Sequence, residues 1–167
     1  MKRTLLVVDM QNDFISMALG TPEAVEILPK VKAKIEEYLQ NGDQVLFTRD
    51  THSEDYLNTL EGKHLPVPHC IKGTKGWEIA DGIYASGCKI IDKPNFGWQH
   101  WDEEEFEAVE LVGLCTDICV ISNALLIKAA HPTIEVSVDA TCCAGVTPET
   151  HAAALATMKM CQINVIE

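Results

Sequence analysis

The stretch Glu110-Leu111-Val112-Gly113-Leu114-Cys115-Thr116-Asp117-Ile118-Cys119-Val120 decides how this chain is read. Its first four residues read as the end of a short buried strand, and Val120 to Ala130 (VISNALLIKAA) reads as a helix. Cys119 therefore falls in a first helical turn. The N–H groups there lack intrahelical partners and carry the positive end of the macrodipole. Both effects favour thiolate over thiol, which makes this turn a good place for a nucleophilic cysteine. The same residue reads equally as a small buried hydrophobe, the usual state of a free cysteine.

Outward from that stretch the same alternation recurs. Strands are predicted over 4–8, 44–48, 88–91, 108–112, 134–138 and 162–166, and helices over about 29–40, 119–130 and 148–160. Pro29 and Pro148 suit the first helical position, and Asn41-Gly42 suits a helix stop. Strands alternating with helices predict an α/β chain: one domain over 1–167, a three-layer Rossmann-like fold whose central six-stranded, mostly parallel sheet carries helices on both faces. Leu60 to Gly76, punctuated by proline and glycine, is predicted to be a loop, and loops of that length usually bind something.

Two further strand ends carry chemistry. Leu5-Leu6-Val7-Val8 suits a strand buried on both faces, and Asp9 ends it abruptly. Cys88-Lys89-Ile90-Ile91-Asp92 leads to Lys93, after which Pro94 forbids continuation of a central ladder. Each alone reads as a cap or a surface charge. Together, an Asp, a Lys and a Cys at the carboxyl ends of three strands fit one mechanism, because open α/β sheets keep their chemistry there. Lys93 would stabilise the sulfur electrostatically and Asp9 would shuttle the proton. The N–H groups of Cys115 and Cys119 would form an oxyanion hole. Such a set suits attack on a planar carbonyl carbon, giving a thioester and releasing an amine or ammonia. Phe96 and Trp98, just beyond Lys93, are candidates for a pocket wall.

A fourth strand, Gln44 to Thr48, runs into Asp50 and His52, whose side chains leave an extended segment on one side. With His69 from the loop, and Glu61 as a fourth candidate against His64, they make an N/O ligand set without thiolate. That set suits one divalent transition metal (Zn first, Fe or Mn next) with open positions. A polar loop start with surface histidines reads the same letters.

Composition bounds the partners. The 167 residues are 47% hydrophobic and 23% charged, as in ordinary globular proteins, and the net charge of −12 argues against nucleic acid and anionic membranes. Met1-Lys2-Arg3 followed by Leu5 to Val8 is too short for a signal peptide, and no run approaches membrane-spanning length. Seven cysteines, an odd number without a secretory signal, are expected to be reduced thiols in a cytoplasmic protein.

Five segments in order resemble the isochorismatase-like cysteine hydrolases, and within them the nicotinamidase (pyrazinamidase) subgroup. They are Asp9 to Phe14 (DMQNDF), Phe47 to His52 (FTRDTH), His69 to Gly76 (HCIKGTKG), Asp92 to Phe96 (DKPNF) and Gly113 to Val120 (GLCTDICV). The resemblance implies a catalytic triad of Asp9, Lys93 and Cys119 and a metal site at Asp50, His52 and His69, with Glu61 as fourth ligand. It also implies that Phe14 lines the substrate pocket and that a cis peptide lies at Leu114–Cys115. The implied reaction is hydrolysis of nicotinamide, a small-molecule amide, to the acid and ammonia, and a homo-oligomer is expected. One departure is Leu65-Pro66-Val67-Pro68, which holds no aromatic where the subgroup commonly places one shortly before the His-Cys pair; Trp77, Phe96 or Trp98 would supply the ring face instead. Three other readings stand beside this one. They are a metal-free relative acting on another small amide or carbamoyl compound, a thiol redox protein using Cys115 and Cys119, and a non-catalytic ligand-binding module.

Overall fold

In the computed structural model, which describes all residues Met1–Glu167, six strands form one sheet: β1 (Arg3–Val8), β2 (Gln44–Asp50), β3 (Lys89–Lys93), β4 (Ala108–Leu114), β5 (Glu135–Ala144) and β6 (Asn164–Ile166). Their spatial order is β3-β2-β1-β4-β5-β6, and every adjacent pair is parallel. The order reverses at β1, between β2 and β4, which opens a crevice at the carboxyl ends of β1 and β4.

The helices are α1 (Asn12–Ile15), α2 (Pro22–Gln40), α3 (Leu60–His64), α4 (Ile121–Ala130) and α5 (Pro148–Met160). Along β1, Leu5 and Val7 face a cluster completed by Ile27, Val31, Ile35 and Tyr38 of α2. Leu6 and Val8 face another, completed by Val120, Ala124 and Ile127 at the start and along α4 and by Leu155 and Met158 of α5. All four β1 residues are wholly buried. A strand buried on both faces reads as a continuous apolar run, which is why this pattern lacks alternation.

Four expected boundaries are corrected. The second helix begins at Pro22, not Pro29: the Thr21 side chain accepts from the Ala24 N–H at 3.1 Å and Pro22 takes the first turn. Pro29 lies inside the helix on its exposed side, one turn after exposed Val25, while Ile27, Val31 and Ile35 still bury the opposite stripe. The expected loop contains α3 and a single 3-10 turn at Tyr56–Asn58. The helix expected from Cys119 starts earlier, as a wide turn over Thr116–Val120 that passes directly into α4. Strand β5 continues to Ala144, taking up a register shift opposite β4 between Leu111 and Gly113.

At Gly113 a side chain is excluded. Its φ is +117°, and a Cβ there would stand 2.2 Å from the Val8 carbonyl oxygen. The close approach lets β4 lie against β1 at the last residue before the site.

Candidate active site

Register carries the site residues to one end of the sheet. Val8 pairs with both Thr48 and Gly113, and Asp50 pairs with Lys93, so Asp9, Asp50, Lys93 and the turn after Leu114 share one rim. Asp9 ends β1 with φ of 47°, a left-handed conformation that Asp adopts more readily than most residues. Thr48 fixes it there: the Thr48 hydroxyl donates to Asp9 Oδ1 at 2.8 Å, and the Asp9 N–H reaches the Thr48 carbonyl at 3.2 Å.

Lys93 is wholly buried, and its ammonium is surrounded by polar groups. Nζ lies 2.7 Å from Asp9 Oδ2, donates to the Asn95 carbonyl at 3.0 Å and reaches Cys119 Sγ at 3.4 Å, with Asp50 Oδ1 at 3.7 Å. Burial alone would favour the neutral amine, but Asp9, Cys119 and Asp50 hold Lys93 protonated, well above its usual value. Burial pushes the Cys119 thiol up, the Lys93 cation pulls it back, and Asp9 and Asp50 push it up again, leaving it well above the ordinary thiol range. Asp9 is raised too, by burial first, with Lys93 opposing and Asp50 adding. The Cys119 thiol therefore holds its proton more tightly than the helix start alone suggests. Burial, with the two carboxylates adding to it, outweighs the favourable turn.

The peptide Leu114–Cys115 is cis. The Cys115 carbonyl accepts from Ile118 at 3.1 Å and Val120 at 3.0 Å rather than from Cys119. Cys115 stands at the start of the turn over Thr116–Val120 and Cys119 lies within it.

Beside the thiol lies the second constellation. Asp50, His52, Glu61 and His69 each offer one ligand atom, and these atoms lie within 4.8 Å of one another. His52 Nε2 is 2.9 Å from Asp50 Oδ2 and 3.1 Å from Glu61 Oε2; His69 Nε2 is 3.5 Å and 3.8 Å from the same oxygens. His52 is brought in by a short parallel bridge to Ile71, with its N–H on the Cys70 carbonyl at 2.9 Å, and the returning loop carries His69. His69 Nδ1 sits 2.8 Å from the Val67 carbonyl, which assigns the proton to Nδ1 and turns the Nε2 lone pair inward. Glu61 comes from α3, capped by Thr59, whose hydroxyl accepts from Gly62 N–H at 3.0 Å. His64, the competing imidazole, lies outside this group.

The group fits a divalent transition metal. Asp50 Oδ1 and Glu61 Oε2 are buried without a hydrogen-bond partner, and two imidazole nitrogens face two carboxylates. Burial would lower His52, but the neighbouring Asp50 and Glu61 carboxylates raise it to about 9 in the ion-free arrangement. Burial would raise Asp50, yet His52 and His69 hold it low.

Both constellations open into one cavity of about 610 Å³. Phe14, Phe96, Cys115, Cys119, Asp50 and His69 line it, Phe14 meeting His69 edge to face at 5.4 Å between centroids. Trp98 is placed elsewhere: it lines a separate groove behind Phe96 with Leu125 and Leu126. Trp77 also lies outside the cavity, with the Arg49 guanidinium 3.8 Å over its ring.

Three buried residues that the sequence reading gave no role hold this frame. Gln11 donates to the Asp50 and Trp77 carbonyls, both at 2.9 Å, and accepts from the Asp50 N–H at 2.8 Å, fixing the end of β2. Tyr56 stands edge-on to His52 and His69 at 4.8 and 5.0 Å. Asn123 donates to the Cys119 carbonyl at 2.8 Å. Gln11 lies within the Asp9 to Phe14 segment; the other two carry no local signal.

This sequence matches the Isochorismatase domain over residues 3–167. The chain belongs to the isochorismatase family. It is 27% identical to the nicotinamidase/pyrazinamidase of Mycobacterium tuberculosis, with 98% of each chain covered. Among solved structures it resembles the pyrazinamidase of Pyrococcus horikoshii in complex with zinc, with a TM-score of 0.87, 28% identity and 100% and 99% of the two chains covered. It also resembles the N-carbamoylsarcosine amidase of Thermoplasma acidophilum, with a TM-score of 0.80, 25% identity and 100% and 96% covered. No helix is long and apolar enough to cross a membrane.

Proposed function

We propose that this chain is a metal-dependent cysteine amidohydrolase that converts nicotinamide, and the similar pyrazinamide, to the carboxylic acid and ammonia through a Cys119 thioester. The observation that carries the reading is the opening of the Cys119–Lys93–Asp9 cluster and the Asp50–His52–Glu61–His69 group into one apolar cavity.

The chemistry follows from the placement of Cys119, Lys93 and Asp9. As the substrate carbonyl approaches, Cys119 passes its proton to Asp9 while Sγ bonds to the carbonyl carbon. The Lys93 cation stabilises the sulfur during transfer and keeps Asp9 oriented. The carbonyl oxygen gains charge and is met by the N–H groups of Cys115 and Cys119. Asp9 then returns its proton to the amide nitrogen, the C–N bond breaks, and ammonia leaves. Water, deprotonated by Asp9, attacks the thioester carbon; the C–S bond breaks, the thiol is restored and the acid departs. A bound Zn, Fe or Mn ion would supply a Lewis-acidic position for the ring nitrogen, so that Asp50, His52, Glu61 and His69 fix where the carboxamide lies. Phe14 and Phe96 offer apolar wall to the ring.

The convergence of two imidazoles and two carboxylates disfavours the metal-free reading, in which Asp50 and His52 would be idle. Burial, then Asp117 and Asp9, push the Cys115 thiol up to about 12, which disfavours a dithiol redox role. The test is rapid quenching of the enzyme with nicotinamide, followed by mass spectrometry. A nicotinoyl group on Cys119 supports the mechanism; turnover with no acyl group on Cys119 under any quench overturns it.

A further inference from the structure

Asn123 is wholly buried in the first half of α4, where asparagine is a poor helix former. Its side chain uses every hydrogen-bonding position it has. Nδ2 donates to the Cys119 carbonyl at 2.8 Å and the Phe96 carbonyl at 3.1 Å, and Oδ1 accepts from the Trp98 N–H at 2.8 Å and the Trp101 indole N–H at 3.0 Å. Two carbonyls on one side and two N–H groups on the other admit only one orientation of the amide. A fully satisfied polar group inside an apolar cluster specifies geometry as well as contributing stability.

What it joins is the point. Cys119 belongs to the turn that opens α4, whereas Phe96, Trp98 and Trp101 belong to the segment that follows Lys93. The Lys93 ammonium rests on the Asn95 carbonyl, and the Phe96 N–H is held by the Asn95 side chain at 2.7 Å. Gly97 passes so close to α4 that a Cβ would come within 2.4 Å of Leu126 Cδ1. One side chain therefore links the nucleophile to the segment that carries both the end of Lys93 and the Phe96 wall of the cavity.

The geometry points to Asn123 as a positioning residue that sets the distance between the Lys93 ammonium and Cys119 Sγ and places Phe96 against the substrate. The inference rests on the proposed role of Cys119 as nucleophile. It goes beyond it in assigning the alignment of thiol and ammonium to a residue that touches neither substrate nor metal.

The experiment compares wild type with Asn123→Ser, whose hydroxyl can still reach back to the Cys119 carbonyl but cannot span to the loop. Two readouts are taken: steady-state hydrolysis of nicotinamide, and the rate of iodoacetamide labelling of each cysteine at neutral pH, followed by peptide mass spectrometry. Exposed Cys161 serves as the reference thiol and buried Cys143 as the check on folding. Expected is a fall in kcat of about 30-fold with KM within about threefold, since a misplacement near 1 Å costs on that order. Cys119 labelling should slow by about tenfold as the ammonium that draws out the thiolate drifts away, with Cys161 unchanged and Cys143 still protected. Asn123→Ser with protected Cys143 and both rates within twofold of wild type overturns the inference. So does a loss confined to thermal stability. If Asn123→Ser does not fold, Trp101→Phe, which removes a single donor from the loop side, carries the test; both readouts should fall together, and rates within twofold of wild type overturn it. Labelling of Cys119 needs no substrate, so a wild type inactive on nicotinamide would count against the proposed function while still testing Asn123.

Discussion

Lys93 Nζ lies 3.4 Å from Cys119 Sγ, although the strand that ends in Lys93 and the strand that precedes Cys119 are separated in the sheet by two others. The intervening β1 and β2 end in Asp9 and Asp50, so the long lysine side chain crosses a rim of carboxylates to reach the thiol. The cation partly offsets burial and the two negative charges, which together raise the thiol. Replacing Lys93 with Met should therefore raise the thiol further and slow Cys119 alkylation near neutral pH by at least about tenfold, one unit in pKa corresponding to a tenfold change in thiolate. Unchanged labelling kinetics in folded Lys93→Met would mean that the contact has no chemical consequence.

Cys119 itself is expected to be indispensable. Cys119→Ala and Cys119→Ser should each lose at least about 10⁴-fold in kcat with circular dichroism unchanged, because the covalent step is removed while the frame stays. Cys115→Ala keeps the backbone N–H and should lose far less. Comparable losses in the two positions would revive the redox reading.

The metal group should unload in a graded way. His52→Ala removes the imidazole that meets both carboxylates, and is expected to lose about one equivalent of metal with most nicotinamide turnover, since a single imidazole nitrogen is then left among the four candidate ligands. Glu61→Ala removes the most solvent-accessible of the four and should be milder. Metal content by elemental analysis decides it: full retention in His52→Ala would remove His52 from the site.

On the opposite face, the Lys34 ammonium of α2 bridges Glu110 of β4 and Asp139 of β5, and the Tyr38 hydroxyl donates to Glu110 at 2.7 Å. Lys34→Met leaves two largely buried carboxylates unpaired and should cost about 2–4 kcal/mol at neutral pH, close to the usual penalty for breaking such a pair. The sign with pH follows from Asp139. Burial would raise its carboxyl, but hydrogen bonds from Lys34 and Thr141 hold it below 3.8 in the fold. Its stabilising contribution is present above that ordinary value and is lost as pH falls through the lower folded one. The difference between wild type and Lys34→Met should therefore narrow below about pH 4. A difference in Tm that stays constant down to pH 3 would contradict it.

Much of the candidate site is legible in sequence because Asp9, Asp50 and Lys93 stand directly at strand ends. Val7-Val8-Asp9, Phe47-Thr48-Arg49-Asp50 and Ile90-Ile91-Asp92-Lys93 each switch from apolar run to charge, and a parallel sheet brings such switches to one rim. The helix starts were half legible. Thr147-Pro148-Glu149 and Thr21-Pro22-Glu23 carry the same start signal, yet Pro29 masked the second by offering another first-turn proline seven residues on. What sequence does not carry is long-range bracing. Tyr56 backs two histidines and Asn123 ties α4 to the loop after Lys93 through contacts that exist only once the chain has folded. Trp98 shows the converse: its position two residues beyond Phe96 suggested the pocket, but the hydrogen bond from its N–H to Asn123 goes with a place in the neighbouring groove.

The most direct measurement is ammonia release from nicotinamide by the purified, metal-loaded protein, repeated after a chelator and again after adding back Zn, Fe or Mn. Expected is steady release that falls sharply on chelation, through KM at least as much as kcat, and returns with one equivalent of metal. Metal-loaded protein that releases no ammonia from nicotinamide, or release indifferent to stoichiometric metal, would contradict the assignment of this site.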